Sequence, residues 1–308
     1  MKEHIAIVGG GLMGLGIASV FCRNDHKVSL CEPVADQRAT LHPRLEALLH
    51  DDGFDTAKAR YLNVVDRLEA LPNDVTIVFE AGPEKLAIKQ AIFQQLVQIM
   101  PEKTLLASNT SVIPITDIAM GVPLAQRHRI LGTHWWNPAN LIPLVEVIRT
   151  EYVRTETLEQ AAALLTKVGK KPVFVEKDVT GFIGNRLQHA LWREAQALIS
   201  AGVCSPETID IVVKNSFGLR LPVFGPIENA DMVGLDLTLD IHNVVLRDLS
   251  QATEPLPALV ECVAQNKLGA KTGQGFLSWN EQKKQQLQQH LNTHIKNMLK
   301  QQGGHHDQ

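Results

Sequence analysis

Gly9-Gly10-Gly11-Leu12-Met13-Gly14 stands directly between a β-branched run, His4 to Val8, and a helical stretch, Leu12 to Arg23. No other feature limits the fold of this chain as strongly. A GxGxxG turn that follows a strand and opens a helix implies a βαβ unit whose helix N-terminus faces a dinucleotide. Gly9 permits the tight turn, Gly11 lets backbone approach a pyrophosphate, and Gly14 lets the helix pack on the strand. Gly9, Gly11, Leu12, Met13 and Gly14 are therefore candidate cofactor contacts. Glu32 closes the second strand, Lys27 to Glu32, at the place where an acid takes a ribose diol, roughly 20 residues on. A carboxylate there repels a 2′-phosphate, so the expected cofactor is NAD rather than NADP. The plainer alternative is a glycine turn that binds nothing and a solvated Glu32. FAD shares the fingerprint, but nothing else in the chain demands a flavin.

Further strand-like runs follow at Val75 to Phe79, Thr104 to Ala107, Arg129 to Gly132, Leu144 to Ile148 and Pro172 to Val175. Helical stretches separate several of them, notably Leu86 to Met100 and Thr157 to Val168. Alternation of this kind predicts an α/β domain: a Rossmann-type, doubly wound and mostly parallel sheet with helices on both faces. The pattern changes near Asp178. Phe182 to Ala201 reads as one long helix, Ser205 as an N-cap before Pro206, and helices continue over Pro226 to Leu249 and Leu256 to Gln265. The expected division is a dinucleotide domain over 1–178 and an all-α substrate and dimerisation domain over 179–308. A narrow apolar stripe (Leu287, Leu291, Ile295, Met298) marks a terminal helix, and Gly303 to Gln308 is expected to be a disordered tail in which His305 and His306 bind no metal.

Composition excludes several classes. At 308 residues the prior of roughly 150 per domain gives about two domains. A net charge of −3, from 30 basic and 33 acidic residues, argues against a nucleic-acid partner. No apolar run approaches the roughly 18 residues of a membrane span, and the first residues lack a signal-peptide cleavage site. Cys22, Cys31, Cys204 and Cys262 are scattered without CxxC spacing, so no metal site or disulfide framework is expected. Buried thiols and a cytoplasmic location fit this usage.

Four segments carry the candidate chemistry: Ser108-Asn109-Thr110-Ser111, Gly132-Thr133-His134-Trp135-Trp136-Asn137-Pro138, Leu144-Val145-Glu146-Val147 and Gly181-Phe182-Ile183-Gly184-Asn185-Arg186. Ligands of open α/β sheets bind at the carboxyl ends of strands. Ser111 and His134 are read as lying just past such ends, and Asn185 at the domain junction. Oxidation of a secondary alcohol needs a base near neutral pKa, which histidine supplies. A buried carboxylate fixes the imidazole tautomer and stabilises the imidazolium. Glu146, a lone acid among Leu144, Val145, Val147 and Ile148, is costly without a partner and suits that role. Ser111 and Asn185 are neutral groups able to hold the substrate oxygen. Taken singly, each is equally a turn former, a solvated histidine, an outward-facing acid or an early-helix amide.

At these residues the chain resembles the 3-hydroxyacyl-CoA dehydrogenase family, from about Ile5 to Trp279. The resemblance implies His134 as general base, Glu146 as its partner, and Ser111 and Asn185 as substrate-oxygen contacts. It further implies that Glu84 and Lys89 touch the nicotinamide half of NAD, and that Asn109 and Asn137 serve as cofactor- and substrate-side amides. Gly225-Pro226, Val233 to Asp236 and Lys271 to Phe276 match second-domain landmarks. A homodimer through the helical half follows from the resemblance alone. Two departures concern the acyl carrier. The stretch from Glu32 to Val75 is shorter than the lysine-rich arm of fatty-acyl members and holds only Lys58. Arg220 has a counterpart in relatives that oxidise small free carboxylic acids, such as carnitine and gulonate dehydrogenases, and its guanidinium suits a bidentate carboxylate clamp. Ile113 to Thr116 is similar to a pyridine-carboxylate dehydrogenase.

The expected function is thus NAD-dependent interconversion of a 3-hydroxyacyl-CoA, or small 3-hydroxy acid, and its 3-keto form. The first alternative is a dehydrogenase of a small free carboxylic acid alcohol. A 3-hydroxyisobutyrate or 6-phosphogluconate type would place a lysine about one turn after the helix asparagine, where Gln188 and His189 stand. A non-catalytic NAD-binding structural or sensor protein has no physical need for a buried acid beside His134.

Overall fold

The computed structural model describes residues 2–303. Expectations about 304–308, His305 and His306 included, lie outside the described residues, and Gly303 ends a helix. By internal contacts the chain forms two compact units, 1–186 and 187–308.

The first unit runs β1 (His4–Val8), α1 (Leu12–Arg23), β2 (Lys27–Cys31), α2 (Ala35–Ala39), α3 (Leu41–Asp51), β3 (Leu62–Val65), β4 (Ile77–Glu80), α4 (Leu86–Ile99), β5 (Leu105–Ser108), α5 (Ile115–Met120), β6 (Ile130–Trp135), β7 (Leu144–Ile148), α6 (Thr155–Lys167) and β8 (Lys171–Val175). Its eight strands make one sheet in the order β3-β2-β1-β4-β5-β6-β7-β8. Every neighbouring pair is parallel except β6 with β7. This is the doubly wound, mostly parallel sheet that the alternation predicts.

Strand side chains alternate between faces, and the core divides accordingly. Ile5 and Ile7 of β1 join α1, α3 and α6 through Ile17, Phe21, Leu45, Leu158 and Leu165. Ala6 and Val8 join α4 and α5 through Phe93, Leu96, Ile115 and Ile118. Cys22 and Cys31 are buried free thiols, and burial pushes them up to about 12 and about 11.

The sequence reading omits β3. Its four residues, Leu-Asn-Val-Val, are too few to show a period, and β2 supplies the parallel partner that makes them a strand. The reading also ends β6 at Gly132, whereas the antiparallel ladder with β7 carries it to Trp135.

The second unit continues α7 (Gly184–Ser200) and adds α8 (Pro206–Asn215), α9 (Pro226–Val233), α10 (Leu235–Val245), α11 (Pro257–Ala264) and α12 (Glu281–Gly303). Ser205 caps α8 by accepting from Thr208 N. The stretch from Pro226 is two helices because Gly234, at φ 105°, breaks the winding. Among the described residues this unit holds no named strand, only isolated bridges between Gly269 and Ser278. No described helix is long and apolar enough to cross a membrane.

Candidate active site

The glycine turn is built as its spacing requires. Gly9 sits at φ 104°, and a Cβ there would lie 2.7 Å from the Ala81 carbonyl oxygen. A Cβ on Gly14 would lie 1.9 Å from the Gly9 carbonyl oxygen, so only glycine lets α1 close on the turn. At Gly11 an added Cβ meets no protein atom within 4 Å. The missing side chain there keeps space clear in front of the helix N-terminus, which has no side-chain cap. Glu32 follows β2 directly. Its Oε2 accepts from Gly10 N at 2.8 Å and its Oε1 from Val34 N at 2.9 Å, which fixes the carboxylate against the turn.

Beyond the turn lies a cavity of about 290 Å³. Met13, Glu84, Asn109 and Ser111 line it, together with His134, Asn137 and Asn185. Seven of the fifteen expected site residues therefore share one hollow, at the carboxyl ends of the parallel strands. A larger hollow of about 620 Å³ lies at the opposite strand ends, among His4, Asp25, Tyr61 and Asp74. Open α/β sheets bind ligands at carboxyl ends, and the smaller hollow holds the clustered chemistry.

His134 and Glu146 are direct cross-strand partners on β6 and β7. His134 thus lies inside a strand rather than past its end. Its Nδ1 is 2.7 Å from Glu146 Oε2. The other oxygen, Oε1, accepts from Ile183 N at 2.9 Å and Gly184 N at 3.0 Å. A strained turn aims those two donors: Gly181 and the buried Phe182 both have left-handed backbone, φ 76° and 51°. Trp136 Nε1 adds a longer contact to Oε2, at 3.4 Å. Gly184 is needed for this packing, because a Cβ there would lie 2.3 Å from the Trp136 ring.

Glu146 is 1% exposed. Burial raises its pKa, but the hydrogen bonds from His134, Gly184 and Ile183 outweigh burial and hold it below the ordinary carboxylate range. An ionised carboxylate at Nδ1 requires the proton on that nitrogen, which leaves Nε2 as the free acceptor. Nε2 has no hydrogen-bond partner among the described residues, and its ring lies between Trp136 and Phe182.

The opposite wall is a network that the sequence reading reaches only in part. Glu84 Oε1 accepts from the Thr110 hydroxyl, from Ser111 N at 2.9 Å and from Val112 N at 3.2 Å. Burial raises its pKa, and these donors together with Lys89 bring it below the ordinary value. Lys89 is 1% exposed and binds Glu80 through both carboxylate oxygens, at 2.9 and 3.0 Å, with Glu84 at 3.4 Å. It is part of the wall rather than an open contact. Glu80 and Ser108 are joined at 2.7 Å; the sequence reading passes over Glu80 and includes Ser108 only within its segment, without a role. The signal was present, since Glu80 closes an apolar run just as Glu146 interrupts one. Asn109 Oδ1 accepts from Trp135 N at 2.8 Å, and Asn185 Nδ2 donates to the Ser111 carbonyl at 2.8 Å. Arg220 lies on the second unit, exposed, with no salt bridge or side-chain hydrogen bond to another described residue. No cluster of metal-ligating residues occurs among the described residues.

Comparison with known proteins places this geometry. Residues 4–179 match the family model "3-hydroxyacyl-CoA dehydrogenase, NAD binding domain", and residues 181–279 match "3-hydroxyacyl-CoA dehydrogenase, C-terminal domain". The chain is 32% identical over 293 residues to a 5-formyl-3-hydroxy-2-methylpyridine 4-carboxylate 5-dehydrogenase of Mesorhizobium japonicum, covering 94% of each chain. It is 34% identical over 294 residues to the mitochondrial hydroxyacyl-coenzyme A dehydrogenase of Sus scrofa, covering 91% of this chain and 92% of that one. The crystal structure of a 5-dehydrogenase of that pyridine carboxylate, described as an NAD+ dependent dismutase, superposes with a TM-score of 0.86 at 30% identity over 96% of both chains.

Proposed function

This chain belongs to the 3-hydroxyacyl-CoA dehydrogenase family and is an NAD-dependent oxidoreductase, and on that premise we propose that it interconverts a 3-hydroxyacyl group and its 3-keto form with His134 as general base. The observation that carries this reading is the chain of contacts from the Ile183 and Gly184 N–H groups through Glu146 to His134, opening on a cavity beside Ser111 and Asn185.

The residues present fit NAD. The clear space at Gly11, the uncapped N-terminus of α1 with Leu12 and Met13, and the fixed carboxylate of Glu32 suit a pyrophosphate and an unphosphorylated ribose. When bound, NAD accepts or returns the hydride. Toward oxidation, His134 Nε2 takes the hydroxyl proton. Glu146 keeps Nδ1 protonated and stabilises the imidazolium that forms. The Ser111 hydroxyl and Asn185 hold the substrate oxygen, and Asn185 also ties the Ser111 loop in place. Asn109 and Asn137 line the cofactor and substrate sides. Lys89 acts by pinning Glu80 and Glu84, and Glu84 in turn shapes the loop that presents Ser111.

A second reading, a small free carboxylate substrate without CoA, is favoured by two observations. The pyridine-carboxylate relative matches over 94% of both chains, and α2 and α3 carry no lysine. Arg220, exposed and unpaired among the described residues, would then clamp the carboxylate. We also assign a homodimer. Among the described residues none from 187 onward is buried, and Ile227, Met232 and Leu239 are 75%, 73% and 61% exposed. An apolar surface of this extent supports that reading. Free thiols throughout fit the cytoplasm.

The test is one parallel assay of acetoacetyl-CoA against free 3-hydroxy and 3-keto acids, with NAD(H) and with NADP(H). His134→Gln should lose on the order of 10²–10⁴ in turnover while still binding NADH. Turnover near wild type would remove the assigned role. Arg220→Ala should lose preference for free acids, and unchanged selectivity would remove the clamp.

A further inference from the structure

Lys170 is a buried cation that the proposed chemistry leaves unused. It follows α6 and precedes β8, yet its side chain turns inward and is 4% exposed. Its Nζ donates to the Ala139 carbonyl at 2.6 Å and to the Ile142 carbonyl at 2.7 Å, and lies 5.2 Å from the Trp135 ring centroid. An ammonium has three N–H donors, and here two meet carbonyls while a π face lies alongside.

Both carbonyls belong to the segment that links β6 to β7. This segment begins with Trp136 and Asn137, which line the cavity. Beyond them it folds on itself, with Leu141 N and Ile142 N both donating to the Pro138 carbonyl. Other ties hold its far side. Asn140 Nδ2 donates to Asp52 at 2.6 Å, Arg23 donates to the Asn140 carbonyl at 3.2 Å, and Lys171 N donates to the Pro143 carbonyl at 2.8 Å. Gly16 of α1 lies against Ala139. Lys170 is the only side chain among the described residues that donates to two carbonyls of this segment at once.

We propose that Lys170 is a positioning residue: its ammonium gathers the Ala139 and Ile142 carbonyls and thereby sets where Asn137 and Trp136 stand in the cavity. The proposal rests on reading that cavity as the substrate site. A second observation gives it a pH dependence. Burial, with Arg23 of α1 adding repulsion and Asp52 at the end of α3 opposing it, brings the Lys170 pKa down to about 7. The charged hold is therefore present below pH 7 and weakens above it, because a neutral amine makes weaker hydrogen bonds to the same carbonyls. Global stability responds with the opposite sign. The unfolded chain keeps this proton to higher pH, so the contribution of Lys170 to folding stability rises between pH 7 and 10, by at most tenfold in the folding constant per pH unit.

The experiment compares wild type with Lys170→Met, which removes all donors, and Lys170→Gln, which keeps two donors without charge. The expected result is a substrate KM raised on the order of 10- to 100-fold in Lys170→Met, with kcat and NADH affinity changed less than about threefold and an intermediate KM in Lys170→Gln. The wild-type KM should also rise through pH 7, a rise absent from Lys170→Met, and Trp emission should shift over the same range in wild type only. Unchanged KM and a pH profile shared by wild type and variants would overturn the proposal. Should both variants fail to fold, the wild-type profile decides, and a KM flat from pH 6 to 9 overturns it. His134→Gln, run alongside, separates the two readings. If it keeps turnover the site assignment fails, whereas its loss with an unaffected Lys170→Met removes only the positioning role.

Discussion

Replacing Glu146 by glutamine isolates the electrostatics of the site. Glutamine keeps the shape but cannot keep the pattern. All four groups around the carboxylate are positioned to donate: His134 Nδ1 and Trp136 Nε1 toward one oxygen, and Ile183 N and Gly184 N toward the other. An amide accepts on one side only. If its oxygen faces the two backbone N–H groups, its NH₂ faces His134 and drives the proton from Nδ1 to Nε2, the wrong tautomer for a base. If it faces His134, two backbone donors confront an NH₂. Either way the imidazolium loses its counter-charge. At a separation of about 4 Å and an effective dielectric near 20, that charge is worth about 4 kcal/mol, or roughly a thousandfold in rate. The expected result for Glu146→Gln is a fall in kcat of about 10³, read as loss of NADH absorbance with acetoacetyl-CoA or a free 3-keto acid, with NADH affinity preserved. His134→Gln with Glu146→Gln should lose little beyond His134→Gln alone, because the two act as one unit. A Glu146→Gln enzyme within tenfold of wild type, or fully additive losses in the double variant, would refute the pairing.

The depressed Glu146 pKa also has a stability consequence. A carboxylate held below its ordinary value of 4.5 contributes stability that is present above about pH 5 and lost as pH falls through its folded value, so urea midpoints of wild type and Glu146→Gln should converge in acid. Gly14→Ala places a Cβ 1.9 Å from a backbone oxygen, and is expected to cost about 3 kcal/mol or more in denaturant titrations and to weaken NADH binding together with stability. Glu32→Ala should narrow the preference for NAD over NADP by at least tenfold in kcat/KM, about 1.4 kcal/mol, because it removes the charge that repels a 2′-phosphate. Under the proposed homodimer, Ile227→Lys with Leu239→Lys, both on exposed helix faces of the second unit, should halve the mass seen by sedimentation while leaving NADH binding intact, and an unchanged mass would remove that interface.

What could be read from the chain followed the range of the forces involved. The glycine turn was readable because its constraints are local: backbone angle at Gly9 and closest approach at Gly14. Glu146 was readable because a lone acid in an apolar strand needs a partner. The same argument would have found Glu80, whose partner Lys89 lies nine residues on along α4. The burial of Lys89 was not readable, since nothing local says that this lysine turns into the wall. The exact end of β6 depended on β7, a partner known only once the sheet is assembled. Lys170 gave no signal at all. Gly169-Lys170-Lys171 looks like a solvated turn until Trp135 and the Ala139 and Ile142 carbonyls close around it.

The antiparallel step between β6 and β7 divides labour along one stretch of chain. Strand register alone sets the base and its carboxylate face to face, while the eight residues from 136 to 143 link the two strands and only the first two, Trp136 and Asn137, line the cavity. Such an arrangement leaves Trp136 and Asn137 open to change for a new ligand, while His134 and Glu146 stay anchored in the ladder. Engineering of selectivity in this scaffold therefore has a natural address, and the strands on either side mark how far the editing can go.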